Sequence, residues 1–536
     1  MINGASIRPS APARAKRSTR WSSACPWPST AVSSSRRWAT GANARRRCAP
    51  AARSSGHVRG SGPAGPGPHA GVWREAGDGR LGYTCSMHAD TSASAVLPPR
   101  LPSGLPWVGQ GLEYRKDPLG FFLRYADRGA VVRTRFVGTP IYLLNSSEAI
   151  EHVLVKNFRN YPKDAFQKRA LEAVVGQGLF TSHGDVWMRR RRMMQPAFHK
   201  NLLAAHGGVA VKAANQWLAS RREGEAFDAY PEMMALTLDV VAGTLFGANL
   251  SAQARELGRA MEAVMLHAQF LFDTPIPLPA WVPTPGQRRF KAALRSLHAV
   301  VDEVVERRRR QGGPGDDLLG LLLEAQAEDG EPLTDAQLRD ECLTLMIAGH
   351  ETTAAALALS LWLLARHPEA EATLRRELAT VLGGREPTVA DLPSLPYCEQ
   401  VVKESLRLYP PAWGMSRVAE TDDRMDGVHV PAGTVVAWSQ WALHRDARHF
   451  PEPEAFRPER WADGLERRIP RFAYCPFGGG PRLCIGAGSA LMVIRLVLAT
   501  VLQRFHFEAA PGPAPEVLPA ITLRPKSGIP LTPRAV

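Results

Sequence analysis

One cysteine near the carboxyl end of the chain stands in a setting that suits a sulfur anion. Residues 477–486 read Phe-Gly-Gly-Gly-Pro-Arg-Leu-Cys-Ile-Gly, and an apolar segment that predicts a helix follows from Ala487 to about Leu502. Glycine-rich backbone can approach a planar macrocycle closely, and amides near a helix start can donate hydrogen bonds to a sulfur anion. We therefore expect Cys484 to be held as a thiolate beside such a ligand.

A polar block interrupts a long apolar segment further upstream. Residues 348–353 read Ala-Gly-His-Glu-Thr-Thr, at the middle of a helix that we predict to run from a capping box at Thr334 to His367. A buried carboxylate beside a hydroxyl, here Glu351 and Thr352, can relay protons into a dry cavity. The alternative interpretation is a surface turn of an amphipathic helix.

A second acid lies in an ion-pair pattern. Glu404 and Arg407 are three residues apart, so they lie on one helical face and can form a bidentate pair. Arg460, in the downstream segment Phe-Arg-Pro-Glu-Arg-Trp, would complete an Arg–Glu–Arg network. Most such pairs are solvated, and that interpretation stays open for this one.

The scaffold that positions these residues reads as mainly α with a small β-sheet subdomain. Strand-like runs occur at 131–136, 141–144 and 428–436, and nearly everything between them has the period of amphipathic helices. The sequence shows no internal repeat and no second linker after Leu97. We therefore predict one large domain over residues 97–536.

The first 86 residues differ from the rest. They carry 14 of the 66 Lys and Arg residues against Glu75 and Asp78, and are rich in Arg, Ser, Gly and Pro. We predict a disordered basic leader, upstream of a true start at Met87. A nucleic-acid-binding arm is the alternative there, whereas the nearly neutral body predicts no nucleic-acid binding for residues 97–536. No uninterrupted apolar run predicts a transmembrane segment, and the cysteine pattern favours the cytoplasm.

The cysteine segment resembles the haem-binding signature of the cytochrome P450 family. That signature, Phe-x-x-Gly-x-Arg-x-Cys-x-Gly, is matched in full at Phe477, Gly480, Arg482, Cys484 and Gly486. The other elements arrive in the family's order, and the resemblance covers roughly residues 97–536. It implies the cytochrome P450 fold, as a single large haem domain.

The resemblance also implies roles for individual residues. Cys484 would be the proximal ligand of the iron in haem b, and Glu351 with Thr352 the acid–alcohol pair of the oxygen-binding groove. Glu404 and Arg407 would be structural rather than catalytic. The partners of the haem propionates would be Trp187, Arg191, Arg417 and Arg482.

The implied reaction is monooxygenation, in which one oxygen atom of O2 enters a C–H bond or alkene of an apolar substrate. Residues 412–415 and 270–283 would line the substrate pocket. The helix resembles that of fatty-acid-hydroxylating members, so a medium-chain or long-chain fatty acid is our first expectation, with terpenoids, steroids and polyketides open. No flavin or iron–sulfur segment is visible, so electrons from NAD(P)H would arrive through a separate ferredoxin or flavodoxin and its reductase. The arginine run at 189–192 is either a docking site for that partner or a solvated face.

Two other functions remain as alternatives. A peroxide-driven or isomerising haem-thiolate enzyme would use the same cysteine without a reductase, but such relatives often replace the acid–alcohol pair. A non-catalytic haem sensor or electron carrier would need no Thr352 and no apolar pocket. Oxygen uptake that depends on reductant, and not on peroxide alone, would separate the three.

Overall fold

The computed structural model describes residues 96–536, except 103, 105–107, 199, 248–253, 275–280, 283, 312–316 and 325–331. The leader predicted over residues 1–86 and the proposed start at Met87 lie outside the described residues. So does part of the 270–283 stretch that we expected to line the substrate pocket.

Helices form most of the described chain. Six short 3-10 segments and one π-helical turn, His152–Lys156, connect them. The α-helices are α1 Gly111–Lys116, α2 Pro118–Tyr125, α3 Ser147–Glu151, α4 Ala165–Val175, α5 Gly184–Met194, α6 Lys200–Ala219, α7 Ala229–Phe246, α8 Ala254–Asp273, α9 Pro285–Gln311, α10 Leu318–Glu324, α11 Asp335–Arg366, α12 Pro368–Leu382, α13 Pro396–Leu408, α14 Gln440–Leu443, α15 Leu465–Arg468 and α16 Ala487–Leu502.

The strands form small sheets at the edges of the helical body. The strands are β1 Val131–Phe136, β2 Thr139–Leu144, β3 Phe227–Asp228, β4 Met415–Val418, β5 Asp423–Met425, β6 Val428–Val430, β7 Val435–Trp438, β8 Phe505–Ala509, β9 Val517–Pro519, β10 Leu523–Pro525 and β11 Pro530–Ala535. The largest sheet has the order β1-β2-β7-β4, with β2 and β7 parallel and the other pairs antiparallel. A second sheet has the order β3-β11-β8, and two hairpins pair β5 with β6 and β9 with β10.

Helix α11 is the central element. Thr334 caps it through the predicted capping box with Gln337, and it ends one residue before His367, as the sequence indicated. It packs against α4, α7, α9, α12, α13 and α16. It is long and apolar enough to cross a bilayer, but 83% of its most apolar window is buried inside the protein, as in a core helix.

The strand predicted over 428–436 is wrong as one element. Pro431 and Gly433, which has a φ of +79°, turn the chain between β6 and β7. Proline cannot donate to a strand ladder and glycine reaches positive φ without strain, so this pair ends one strand before the next begins. The predictions for β1 and for α16 are confirmed to the residue.

Candidate haem site

The loop that carries Cys484 is closed by its own backbone. The Cys484 amide donates to the Phe477 carbonyl at 3.1 Å, and the Leu483 amide donates to the Gly480 carbonyl at 3.0 Å. Gly480 has a φ of +63°, and a Cβ there would lie 1.9 Å from the Leu154 carbonyl oxygen, so only glycine fits. The loop therefore holds its cysteine in a fixed place just before α16.

The thiol of Cys484 is exposed on one side and enclosed by protein on the other. Burial raises the pKa of this thiol, and the Gly486 amide and the Arg191 charge oppose that rise only in part. The thiolate expected at Cys484 beside a planar ligand therefore stays a prediction for the ligand-bound protein. A bound metal ion deprotonates a coordinating thiol outright, so iron would supply what the loop lacks.

Helix α5 brings the predicted propionate partners to the cysteine loop. The Arg191 guanidinium donates to the Leu483 carbonyl at 2.6 Å. Trp187 is buried, and the Arg482 guanidinium carbon lies 4.0 Å from the centroid of its ring, while Arg482 also donates to the Ser182 carbonyl at 2.9 Å. The structure thus joins two segments that are almost 300 residues apart in sequence.

A cluster of three cations extends from Arg482, in which Arg417 is buried and Lys163 and Arg482 are half-buried. Burial lowers the pKa of Arg417, on β4, to about 10, and burial and then repulsion by Arg417 lower that of Arg482 to about 10. Burial and both arginines lower the pKa of Lys163 well below its ordinary range. Within the described residues none of the three pairs with a carboxylate at ion-pair distance, although Asp164 attracts Lys163 and Arg417 from further away. Such a cluster is costly unless anions bind to it.

The arginine run on α5 is not a uniform solvated face. Arg190 is buried and forms an ion pair with Glu341 of α11, whereas Arg192 is exposed. A helix turns 100° per residue, so four consecutive arginines point in four directions. Only part of the run is available to a partner protein.

The predicted acid–alcohol pair lies at the middle of α11. The Thr352 hydroxyl donates to the Ala348 carbonyl at 2.7 Å, and Ala348 is exposed although the helix is otherwise mostly buried. Glu351 is buried, with its Oε1 atom 3.5 Å from an Arg524 nitrogen and 3.4 Å from the Tyr230 hydroxyl. Its Oε2 atom has no hydrogen-bond partner among the described residues. The open side at Ala348 and Thr352 suits a planar ligand and a substrate above it.

The predicted Arg–Glu–Arg network is confirmed. Glu404 and Arg407 are both fully buried and form two hydrogen bonds, of 2.8 and 2.9 Å. Arg460 donates to the same carboxylate at 2.9 Å, as does the Trp461 indole. The pair is therefore not solvated, and it ties α13 to the segment that follows β7.

One expected pocket residue lies elsewhere. Trp413 is buried and donates through its indole nitrogen to the Ala520 carbonyl at 2.7 Å, and its ring meets Phe122 edge-on. It is part of the apolar core. Its neighbours Ala412, Gly414 and Met415 are only half-buried.

Sequence reasoning missed three residues of the site. Lys163 joins the cation cluster, and Tyr230 and Arg524 are the neighbours of Glu351. Each comes from a distant part of the chain and belongs to no motif. A lysine directly before an aspartate and a helix start was the one local signal, and many surface lysines share it.

The residues present fit an iron porphyrin. A single cysteine suits a metal ion that already has other ligands, and among the described residues no group of three or more His, Cys, Asp or Glu could hold a metal by itself. The cation cluster suits two carboxylates. Fold and site together fit a haem-thiolate protein.

Comparison with known proteins agrees with this class. Residues 99–531 match the family model described as Cytochrome P450. The chain therefore belongs to the cytochrome P450 family, and it is a cytochrome P450 monooxygenase.

Two curated relatives come from Streptomyces. The chain is 35% identical to the cyclooctat-9-en-7-ol 5-monooxygenase of Streptomyces melanosporofaciens over 79% of its own length and 94% of the relative's. It is 34% identical to the pentalenene oxygenase of Streptomyces avermitilis over 76% and 91%. Among solved structures, cyanobacterial CYP120A1 with bound retinoic acid has a TM-score of 0.74 and 29% identity, covering 83% of this chain and all of that one.

Proposed function

We propose that the chain binds haem b with Cys484 as the thiolate ligand. The observation that carries this proposal is the meeting of the cysteine loop with α5 and the cation cluster. A thiolate-ligated haem supplies the activation of O2. The side chains proposed to hold its propionates are those of Trp187, Lys163, Arg191, Arg417 and Arg482.

A carbon monoxide spectrum tests the ligand. The reduced protein with carbon monoxide should absorb at about 450 nm if Cys484 holds the iron as a thiolate. The Cys484→Ser protein should lose that band, and Cys475→Ser, which changes a buried cysteine of the core, should keep it. A thiolate-type spectrum in Cys484→Ser would contradict the assignment.

We propose that Thr352 and Glu351 deliver protons in the oxygen groove. The Thr352 hydroxyl holds one proton at Oγ1, now directed to the Ala348 carbonyl, and the buried Glu351 carboxylate is the neighbouring proton donor and acceptor. In Thr352→Ala, the rate of hydroxylation should fall by a factor of about 10² to 10⁴. The electrons supplied should then reduce O2 to hydrogen peroxide instead of forming product. Product and peroxide per NAD(P)H consumed measure this, and unchanged coupling would refute the role.

We propose an apolar isoprenoid or terpenoid as the substrate class. The support is that two relatives are oxygenases named for cyclooctat-9-en-7-ol and pentalenene, together with the apolar character of half-buried Ile347 and exposed Ala348 on α11. The fatty acid expected from sequence stays a prediction and forms the other arm of the test. A ferric titration should shift the Soret band with cyclic terpenes, because a bound substrate displaces water from the iron. A shift with fatty acids alone would reverse the choice.

We propose that a separate ferredoxin or flavodoxin, with its reductase, carries electrons from NAD(P)H. Exposed Arg192 and half-buried Arg189 present positive charge on the outer side of α5. Arg192→Glu should slow reduction by an acidic partner, most strongly at low salt. Arg295→Glu, on the exposed side of α9, is the matched control. Equal rates in both variants would place the docking site elsewhere.

We also propose a cytoplasmic location and a leader that haem binding does not need. Every residue assigned a role lies between Lys163 and Arg524, and the family match begins at residue 99. A chain that starts at Met87 should show the same carbon monoxide spectrum as the full chain. Loss of haem on this truncation would contradict the proposal.

The alternatives are less well supported than a monooxygenase. Glu351 and Thr352 are both present, whereas a peroxide-driven or isomerising enzyme often lacks this pair. A sensor or electron carrier would not need the open side of α11 at Ala348. Oxygen uptake that requires reductant is expected, and activity with peroxide alone would favour the first alternative.

A further inference from the structure

The loop between α4 and α5, residues 176–182, is attached to α11 through its amides. The Gln177 amide donates to Asp340 Oδ2 at 2.9 Å, and the Leu179 amide donates to Glu341 Oε2 at 2.8 Å. Both acceptors are carboxylates in the amino-terminal half of α11, so two consecutive residues of that helix hold one loop.

The loop also approaches α11 too closely to be displaced without effect. Gly176 has a φ of +56°, and a Cβ there would lie 2.2 Å from Asp340 Oδ1. A Cβ at Gly178 would lie 2.0 Å from Thr344 Oγ1. The left-handed backbone favours glycine at 176, and a Cβ at 178 would require Thr344 to move, so the backbone of the loop lies close to the helix surface.

The second oxygen of Glu341 is used by helix α5. Oε1 of Glu341 accepts a hydrogen bond from Arg190, and both side chains are buried, with 2% and 10% of their surface exposed. Arg190 directly precedes Arg191 and follows Trp187 by three residues. One carboxylate thus joins the loop, the central helix and the helix that carries two proposed propionate partners.

The carbonyls of the same loop contact the cation cluster. The Phe180 carbonyl accepts from the Lys163 ammonium at 2.6 Å, and the Ser182 carbonyl accepts from Arg482 at 2.9 Å. The loop is therefore held by carboxylates through its amides and holds cations through its carbonyls. A displacement on the α11 side would move Lys163 and Arg482 as well as α5.

We propose that Arg190 and Glu341 are positioning residues for the haem, which set the place of α5 and of loop 176–182 and thereby of four propionate partners, Trp187, Lys163, Arg191 and Arg482. The inference rests on the proposed haem site. Neither residue touches the propionates by this account, and each acts through the groups that do. Breaking the buried pair leaves a buried charge without its partner, so the loop and helix must rearrange.

The test compares haem retention with protein stability. Arg190→Gln and Glu341→Gln should transfer haem to excess apomyoglobin at least about tenfold faster than wild type, as for other partners that orient metal-binding groups. Their carbon monoxide band should shift in part from about 450 nm towards about 420 nm as the haem seating loosens. Arg190→Lys keeps the charge and should retain haem nearly as wild type does.

Arg308→Gln is the matched control. Arg308 forms a half-buried ion pair with Asp317 and donates a hydrogen bond to the Phe246 carbonyl at 3.1 Å. These contacts tie α9 to α7 and α10. Arg308→Gln should lower the melting temperature of the haem-free protein about as much as Arg190→Gln does. It should transfer haem to apomyoglobin no faster than wild type. Circular dichroism of the haem-free chains measures the melting temperature.

Two results would overturn the proposal. Haem transfer in Arg190→Gln and Glu341→Gln no faster than in Arg308→Gln would make the pair merely structural. Transfer in Arg190→Lys as fast as in Arg190→Gln would show that the ion pair does not act. Should Arg190→Gln fail to fold, Glu341→Gln and Arg190→Lys decide the question. A wild-type protein without the 450 nm band would instead refute the haem site itself.

Discussion

Two groups of buried or half-buried cations in this protein have opposite surroundings. The guanidinium groups of Arg407 and Arg460 meet one carboxylate, Glu404, with hydrogen bonds of 2.8 to 2.9 Å. The charges of Lys163, Arg417 and Arg482 bond backbone carbonyls and repel one another. The first group therefore shares a carboxylate of the protein, whereas among the described residues the second group has none at ion-pair distance and only the more distant attraction of Asp164.

The difference shows in how each guanidinium uses its donors. Arg407 reaches Glu404 with two nitrogens and the carbonyls of His444, Pro453 and Ala455 with the remaining bonds, all within 3.0 Å. Arg417 donates to the Ser416 carbonyl at 2.6 Å, and its pKa is lowered by burial. A satisfied buried charge fixes structure, whereas an unsatisfied one indicates a ligand.

The largest effect is expected from breaking the satisfied group. Glu404→Gln removes the charge that Arg407 and Arg460 share and leaves two buried guanidinium groups without a counter-ion. We expect a loss of about 3 to 5 kcal/mol in the free energy of unfolding, or no folded protein. Glu399→Gln, a partly exposed change on the same helix, is the control, and urea unfolding is the measurement. A loss below about 1 kcal/mol would show that the network is not structural.

Removing Arg417 from the second group should stabilise the haem-free protein but weaken its retention of haem. Arg417→Met removes a buried charge that has no carboxylate at ion-pair distance among the described residues, with only Asp164 attracting it from further away, so the haem-free protein should gain on the order of 1 kcal/mol. Haem transfer to apomyoglobin should nevertheless become about 10 to 100 times faster, because a propionate loses its partner. Thermal melting without haem and transfer rates with it test the two signs.

The contrast between the two groups of cations is wrong if Arg417→Met lowers both the stability of the haem-free protein and its retention of haem. A haem-free Arg417→Met protein that melts well below wild type would show that this arginine is structural, like Arg407. Arg424→Met, which removes an exposed arginine of the neighbouring strand β5, controls for the loss of any cation. Unchanged haem transfer in Arg417→Met would remove this residue from the proposed site.

The ion pair of Glu404 with Arg407 and the cysteine loop could be predicted from the sequence, because each is formed by residues close together in the chain. Glu404 and Arg407 share one helical turn, and Phe477, Gly480 and Cys484 share one loop, so their spacing carries the geometry. The ends of α11 followed from Thr334 and His367 for the same reason. Short-range rules of capping and periodicity determine such features without knowledge of the tertiary fold.

The unsatisfied group depends on contacts that spacing does not encode. Lys163, Arg417 and Arg482 come together only when α4, β4 and the cysteine loop pack, and Lys163 was not predicted. Arg190 belongs to the arginine run at 189–192, which looks solvated in the sequence. Its burial follows from the tertiary fold, in which it pairs with Glu341 of α11. Burial is a property of the whole fold, so charge runs in sequence do not reveal which member lies inside.

Glu371, on α12, is an intermediate case between the two groups. It is buried and accepts a hydrogen bond from the Phe507 amide, but its Oε1 atom has no partner among the described residues. Burial raises its pKa to about 7, and Arg375 opposes that rise. The folded state therefore holds a proton that the unfolded chain releases at lower pH. Stability from this proton is fully present below pH 4.5 and is lost as the pH rises towards 7.

Glu371→Gln should remove this pH dependence, with a smaller effect on stability than Glu404→Gln has. Glutamine resembles the protonated acid, so the variant should match wild type near pH 5 and exceed it at pH 8 by about 1 to 2 kcal/mol. The gain is limited because the amide is also buried and only partly bonded. Urea unfolding at both pH values measures it, with Glu369→Gln, an exposed change on the same helix, as the control. Equal stability of wild type and Glu371→Gln at pH 8 would mean that the folded protein already satisfies this carboxylate, and an orphaned buried atom would then be a poor guide to unmet charge here.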